Sequence, residues 1–523
     1  MLAIRVRDRD DSQAEAVLRL ADIHSNFTKC VRLLVGAGIT ITGSPRANAM
    51  LREYFIEIVA TQSNKDILVT THIGWSEDDG LSTFINPVIA ISEYEHPPIL
   101  LGDGSYGRVD RFAIRGTLED WQEYIGRHCI DNFYLVFAIT VALSGAFLYW
   151  ARMRGSGFNF FGESSRGKST LLRAAGSVNP RLTEEMFQSW RQTDNALEEQ
   201  CYLHNDCTIL LDEMGECEPL VLPKCIYMVA NGQAKRRATQ SVTKMWNCML
   251  LSTSEDPAKT LIEAAGKKYF AGFSVRLHDL PADVENGYGV FHHVPSTFAT
   301  AHEFSRYLED VTERFRGAVL PALLEKYLAR KDTSTYRLRW FMDCFMGSIQ
   351  TQHDGQILRA LKNFALPAAV GELATAWGIL PWPKHHASDA ARFAFQMWLD
   401  HHRESTKTLR DRVLDRLYTT LQRHSESRFL PYHGATCIGN LKDAYGYRHS
   451  YPGGFMEYVL PEDGFQNLFK GMLVRNCCAI LYREGILVRD GRNFTTKRSL
   501  PGNPSIARCY VLRVKMENLD GAN

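Results

Sequence analysis

Gly162-Glu163-Ser164-Ser165-Arg166-Gly167-Lys168-Ser169 is the stretch whose residue types and spacing point most directly to chemistry. It fits G-x-x-x-x-G-K-[ST] without a gap. The two glycines let the backbone curl so that successive N–H groups cradle phosphate oxygens. Lys168 then reaches the β/γ-phosphates, and the Ser169 hydroxyl is a ligand for Mg²⁺. The run Gly157-Phe158-Asn159-Phe160-Phe161 before it reads as a strand. Thr170-Leu171-Leu172-Arg173-Ala174 after it reads as a helix, which places phosphate at a helix N-terminus. Residues 162–170 are therefore the expected nucleotide cradle, with ATP and Mg²⁺ as its cofactors.

A second stretch completes the chemistry. Cys207-Thr208-Ile209-Leu210-Leu211-Asp212-Glu213 is an apolar strand ending in two acids, 44 positions after Lys168 (212 − 168). Asp212, with Ser169, suits Mg²⁺, and Glu213 suits the polarisation of an attacking water. Alone such a run is common; behind the upstream loop it defines an NTPase. A third strand, Cys248-Met249-Leu250-Leu251, ends in Ser252-Thr253-Ser254-Glu255. Ser252 or Thr253 could sense the γ-phosphate or position water, the alternative being a polar turn after a strand. Arg276, in Gly272-Phe273-Ser274-Val275-Arg276-Leu277, lies where ring ATPases carry an arginine finger that enters the neighbouring subunit's site. Arg359, ahead of the helical stretch Phe364–Ala374, is the substitute candidate for a lid-borne sensor.

These residues need elements to hold them. A chain of 523 residues should form three or four domains, with no need of disulfides or metal as staples. Sixty Lys and Arg against fifty-nine Asp and Glu give +1, which excludes a uniformly basic nucleic-acid binder but leaves local patches open. Twelve cysteines without a Cys-x-x-Cys pair, and an amino terminus without an apolar signal core, lead us to expect a reduced, cytoplasmic protein. The uncharged run from Asn132 to Ala151 could span a bilayer. A helix buried on all sides is the favoured reading, because the nucleotide loop begins about ten residues later, and no membrane partner is expected. Short strand-like runs (Ile39–Ile41, Asp66–Val69, Phe84-Ile85) and a helix near Ala47–Val59 mark residues 1–113 as α+β. Thr117 reads as an N-cap. Strand and helix alternate through the next segment, and residues 301–424 are mostly helical.

The motifs resemble a family of P-loop ATPases of phages, plasmids and mobile cassettes, long catalogued as a domain of unknown function. That family is similar to helicases of mobile elements and to MCM-type AAA+ helicases. The stretches that carry the resemblance include Gly74-Trp75, Gly116 to Trp121, Gly162 to Ser169, and Trp190 with Thr193 to Glu198. They continue through His204-Asn205-Asp206, Leu211-Asp212-Glu213, Tyr227 with Asn231-Gly232 and Lys235, Trp246, and Ser252-Thr253 with Glu255. Phe364-Ala365-Leu366, Gly371 to Ala374 and Ser427-Arg428-Phe429 extend them. Ala234 and Ser254 depart from the family's glycines. The elements read along the chain make it a multidomain α/β protein: an α+β domain (1–113), a P-loop core (114–300) that the resemblance marks as AAA+, a helical lid (301–424) and a winged-helix-like domain (425–523). The resemblance further implies a homo-oligomeric ring, a hexamer, acting as a helicase or translocase on single-stranded or forked DNA, with a separate primase or initiator as a possible partner. The alternative is a non-unwinding ATPase that gates a partner in a defence or transposition complex.

Two basic segments would touch DNA. Lys235, Arg236, Arg237 and Lys244 give +4 with no acid between Gly232 and Trp246, as a hairpin in a ring channel or, blandly, a solvated turn. From Arg483 to Lys515 eight basic residues face two acids, Arg492 and Lys497 at a wing being the expected contacts and a structural cap the alternative. Two decoys are set aside. Gly102–Val109 fits a kinase glycine loop but lacks the other kinase motifs. Cys201-x-x-His204-x-x-Cys207 has zinc-like spacing, but Cys207 opens the buried Asp212 strand.

Overall fold

The computed structural model describes residues 2–7, 13–36, 38–61, 68–100, 113–182, 185–235, 244–350, 354–432, 444–501 and 506–517. Arg236, Arg237, the glycine loop at 102–109 and the start of the Asp66–Val69 run lie outside the described residues. The chain divides into two compact units, Met1–His402 and Arg403–Asn523.

The first unit opens with a small body. β1 (Leu2–Arg7) and β2 (Gln13–Leu18) pair antiparallel, and α1 (Leu20–Ser25), α2 (Phe27–Gly36) and α3 (Pro45–Thr61) follow. Leu18, Ile23, Cys30, Leu34 and Phe55 form its core. Ile39–Ile41, expected as a strand, is irregular; Ile39 and Ile41 pack on this core as the link between two helices.

The next strands do not belong to that body. β3 (Val69–Thr70) pairs with β7 (Ile99–Leu100), while β4 (Gly74–Asp78), β5 (Leu81–Ile85) and β6 (Ala90–Ser92) form an antiparallel meander. Trp75, Phe84 and Ile89 are buried in the main core. The Trp75 indole donates to the Ala146 carbonyl at 2.6 Å, and its backbone N–H donates to Asp206 Oδ2 at 3.0 Å. An N-terminal domain closing at residue 113 is therefore not how the chain packs: the meander is built into the body that carries the nucleotide loop.

Thr117 caps α4 (Leu118–Trp121) in a capping box with Asp120, as its residue type predicts. The uncharged run then forms α5 (Phe133–Ser144) and α6 (Leu148–Ala151). Every residue from Tyr134 to Ser144 is buried, and 89% of the stretch Phe133–Ala151 lies inside the protein. A helix apolar on all sides needs cover on all sides. It finds a sheet on one flank and a long helix on the other. Gly145 permits the close approach to the sheet: a Cβ there would sit 2.1 Å from the Cys207 carbonyl carbon.

That sheet is parallel and five-stranded: β8 (Gly157–Phe161), β9 (Gln188–Ser189), β10 (Thr208–Asp212), β11 (Met249–Ser254) and β12 (Leu277–Pro281), in the order β12-β8-β11-β10-β9. Between them run α7 (Lys168–Gly176), α8 (Asp194–Leu203), α9 (Leu222–Asn231), α10 (Ala258–Ala264) and α11 (Ala271–Ser274). The chain leaves β8 toward one edge and leaves β11 toward the other. The carboxyl ends of these neighbours thus form the crevice where open α/β sheets bind ligands.

α12 (Ala301–Arg314), α13 (Val319–Leu328), α14 (Lys331–Gly347), α15 (Gly355–Ala376) and α16 (His386–Thr406) complete the helical region. Phe364 of α15 stacks on Phe137 of α5 at 5.5 Å and meets Phe158 of β8 edge-on at 4.9 Å. Residues 301–402 thus share one core with the sheet and do not form a separate lid body.

The second unit takes in α17 (Leu409–His424), which moves the expected boundary at 424/425 upstream, because Val413, Leu417 and Leu421 pack with the tail. β13 (Phe429–Pro431), β14 (Gly446–Tyr451), β15 (Phe455–Leu460), α18 (Glu462–Leu468), α19 (Val474–Arg483), β16 (Leu487–Val488), β17 (Thr496–Ser499) and β18 (Ile506–Lys515) follow. α19 and β16 lead into a turn closed by the Asp490–Asn493 bridge, and β17 and β18 return from it. The hairpin β14–β15 enlarges its sheet to six strands, β13-β14-β15-β18-β16 with β17 on β18.

Candidate active site

The loop 162–167 leaves β8 at the crevice. Ser165 (φ 62°) and Gly167 (φ 85°) are left-handed, and a Cβ on Gly167 would lie 2.8 Å from Val290. The loop is braced from outside. Arg166 pairs with Glu163 at 2.6 Å and with Asp283 at 3.1 Å, and its carbonyl accepts from Val290 N–H at 2.9 Å. Glu163 is held below the usual carboxylate range by Arg166. Lys168 is 7% exposed, and its Nζ donates to the carbonyls of Gly162 and Glu163, the latter at 2.8 Å. Burial lowers its pKa, while Glu213, Glu255 and Asp212 pull it back up. Thr170 is buried, and its hydroxyl hydrogen-bonds that of Ser305 on α12.

The residues expected to hold a metal come together. Ser169 Oγ donates to Asp212 Oδ2 at 3.2 Å, although 43 positions separate them. Thr253 Oγ1 donates to the other Asp212 oxygen and accepts the Glu213 N–H at 3.0 Å. One hydroxyl therefore fixes both acids. Glu213 itself has φ 55° and ψ 74°, a left-handed conformation that costs a residue with a Cβ about 1–2 kcal/mol. Strain of this kind collects where a side chain must be aimed. Burial raises the Glu213 pKa, Glu255 and Asp212 add to the rise, and Lys168 opposes it.

Ser252 is not part of this group. Successive strand residues face opposite ways. Ser252 accepts from the Trp190 indole at 2.8 Å, fully buried, while Thr253 turns to Asp212. Arg276 stands at the other end of the sheet, since its carbonyl accepts from Gly157, the first residue of β8. Its guanidinium donates to the Gly272 carbonyl at 2.8 Å and lies 4.8 Å over the Tyr227 ring, so it cannot serve its own cradle. Arg359 is exposed in the second turn of α15, and among the described residues it makes no recorded contact with the cradle.

Sequence reasoning missed a polar layer beneath the loop. Asn159 Nδ2 donates to Ser254 Oγ at 2.9 Å and to Asp279 Oδ1 at 2.8 Å, joining three neighbouring strands. Asp279 also accepts the Ala258 N–H, and burial pushes its pKa up to about 6. The available signal was an asparagine in the middle of an apolar strand.

Of the 232–246 segment, expected as a hairpin, the two ends are described, and they pair with each other. Gln233 and Met245 bridge antiparallel, and Ala234 N–H donates to the Lys244 carbonyl at 3.0 Å. Its described cations are not free: Lys235 pairs with Asp194, and Lys244 pairs with Glu199 and lies 4.9 Å over the Tyr202 ring. Acids of α8 thus offset the charge that the window 232–246 shows alone. In the second unit Arg492 and Lys497 are exposed. Among the described residues no group of three or more His, Cys, Asp or Glu is placed to hold a metal ion; the His204 ring bonds the Gln200 carbonyl.

A hydroxyl and a carboxylate oxygen at hydrogen-bond distance are the hard donors that Mg²⁺ prefers, and the loop's curled backbone and buried lysine fit a phosphate chain. The residues present fit both groups.

The family model described as "Domain of unknown function (DUF927)" matches residues 1–244. A solved structure titled "SCCmec type IV Cch - active helicase" is similar along almost the whole length: TM-score 0.57, 18% identity, 99% of this chain and 94% of that chain. No curated protein sequence matches. The chain has a multidomain α/β fold of the kind seen in that helicase.

Proposed function

We propose that this chain is an ATP-driven DNA helicase or translocase of a mobile genetic element, working as an oligomeric ring, a hexamer, on single-stranded or forked DNA in the cytoplasm. One observation carries the reading: Ser169, Asp212, Thr253 and Glu213 converge at the mouth of the Lys168 loop. Likeness along almost the whole length to a helicase fold supports helicase-type work; the AAA+ core and the winged-helix-like tail are part of the proposal. Mg²⁺, when bound, offsets phosphate charge, and Ser169 and Asp212 would hold it. Lys168 supplies a desolvated cation, which acts more strongly than one in water. Glu213, its basicity raised by burial, orients and deprotonates water. We assign Arg276, which is remote from its own cradle, to the site of a neighbouring subunit.

The test is strand displacement on forks with 3′ or 5′ tails, comparing wild type with Lys168→Ala and Glu213→Gln. Expected is ATP-dependent displacement by wild type alone, with weak ATP binding in the first variant and retained ATP in the second. Normal turnover in both variants would end the ATPase assignment. The second reading, an ATPase that gates a partner without unwinding, is favoured by the pairing of Lys235 and Lys244 with acids. ATP turnover without displacement on either fork would select it.

A further inference from the structure

A concavity of about 720 Å³ lies away from the phosphate cradle, between α9, the foot of the 232–246 hairpin and the segment leading into α11. This segment precedes β12, whose first residue pairs with the first residue of β8, whereas the cradle follows the last. The five residues of β8 separate the two places by roughly 15 Å. Gly266, left-handed at φ 70°, ends the helix α10 and turns the chain outward, leaving Lys267 and Lys268 exposed.

Behind them the rings are layered. Tyr269 stacks on Phe273 at 5.2 Å and 29°, and Tyr227 supports Phe273 at 4.5 Å. Phe270 lies within 25° of the Phe273 plane yet remains 54% exposed, with Lys268 Nζ 5.7 Å from its centroid. Among the described residues no carboxylate lies within ion-pair distance of Lys224, Lys267 or Lys268. Asp194, the acid that lines the concavity, is engaged by Lys235. Of the exposed cations at the rim, Lys267 and Lys268 have no ion-pair partner among the described residues, and Lys224 shares the field of Asp194 with Lys235. A braced aromatic face in water, rimmed by such cations, matches a ligand that alternates flat rings with anions. A single strand of nucleic acid is that ligand, because base–aromatic stacking and phosphate contacts are its two sequence-independent handles.

We infer that this concavity is a stacking subsite for single-stranded nucleic acid, with a base on the outer face of Phe270 and adjoining phosphates on Lys224, Lys267 and Lys268. The inference rests on the reading that the chain works on nucleic acid. It adds a contact that neither the hairpin cations nor the tail provides.

The experiment is an anisotropy titration of labelled oligo(dT) at several salt concentrations, with the full chain. Phe270→Ala should weaken binding by about five- to a hundred-fold, and Phe270→Trp should keep it, as stacking requires. Lys267→Ala with Lys268→Ala should flatten the log–log salt slope by about 1.4, at ~0.7 per phosphate contact on a single strand. Both lysines are exposed, so this variant decides the matter even if Phe270→Ala fails to fold. Wild type that does not bind oligo(dT) overturns the function and the inference together. Wild-type affinity and slope in all variants overturn the inference alone. Unchanged binding with a smaller assembly by light scattering in Phe270→Ala would make the patch an interface between copies of the chain, and the subsite is then wrong.

Discussion

Thr253→Val isolates the geometry of the two acids. Valine keeps the shape of threonine and loses only the hydroxyl that donates to Asp212 and accepts from Glu213 N–H. Thr253 is fully buried, so water cannot replace it. A hydrogen bond to a charged group contributes about 1.5–3 kcal/mol and a neutral one about 1 kcal/mol. The change should therefore cost the first unit roughly 2.5–4 kcal/mol. The larger effect is on aim. Without that bond only the Glu216 N–H, donating to the Glu213 carbonyl at 3.0 Å, offsets the ~1–2 kcal/mol cost of the left-handed turn at Glu213, and its backbone is released toward an ordinary conformation. The carboxylate then swings off line, and turnover should fall by about 10²–10⁴, the range a positioned base contributes. The assay pairs steady-state ATP hydrolysis with equilibrium binding of a fluorescent nucleotide, for Thr253→Val and Thr253→Ser. Affinity within about threefold of wild type in both, with turnover lost only in valine, is expected for an interaction made in the transition state. Valine at wild-type turnover refutes the argument, and so does serine failing as badly as valine.

Two further outcomes follow from the structure. Asp194→Asn with Glu199→Gln should raise affinity for single-stranded DNA and steepen its salt dependence, because Lys235 and Lys244 lose the acids that hold them; unchanged titrations would remove the hairpin foot from the DNA path. Asp206, with its pKa pushed up to about 7 by burial against an ordinary 3.8, should lower stability as pH rises between these values, since the folded chain keeps a proton that the unfolded chain releases. Asp206→Asn should flatten the fall in unfolding temperature between pH 5 and pH 8, an effect of roughly 3 kcal/mol at most, since only the two units from pH 5 to about 7 contribute at ~1.4 kcal/mol each. An identical pH profile in the variant contradicts it.

Much of the site was legible because its parts are local. The loop at 162–169, the strand ending in Asp212-Glu213 and the cap at Thr117 each declare themselves within a few residues. What the sequence hid is what depends on partners far along the chain. Ser252 and Thr253 look equivalent until the sheet sends one to Trp190 and the other to Asp212. Lys235 and Lys244 look like a bare basic arm until α8 brings Asp194 and Glu199 beside them. The domain divisions failed for the same reason: Trp75 and Phe364 lie in segments read as a separate N-terminal domain and a separate lid, yet both pack in the core around α5. A boundary is set by which apolar faces meet, and composition along the chain does not record that.

The buried helix α5 has a consequence for how the chain is made. Its cover on one flank, α15, begins 211 residues after α5 ends (355 − 144). At ~5–20 residues per second, a ribosome needs roughly ten to forty seconds to deliver it. During that interval the emerging polypeptide carries a nearly charge-free helix that looks to any passing chaperone, or to an insertion machine, like a segment destined for lipid. The stretch 1–244 that the family model matches ends inside the same interval, before β11, β12 and α15. The matched stretch is not a unit of folding, and expressed by itself it should accumulate as aggregate or chaperone cargo.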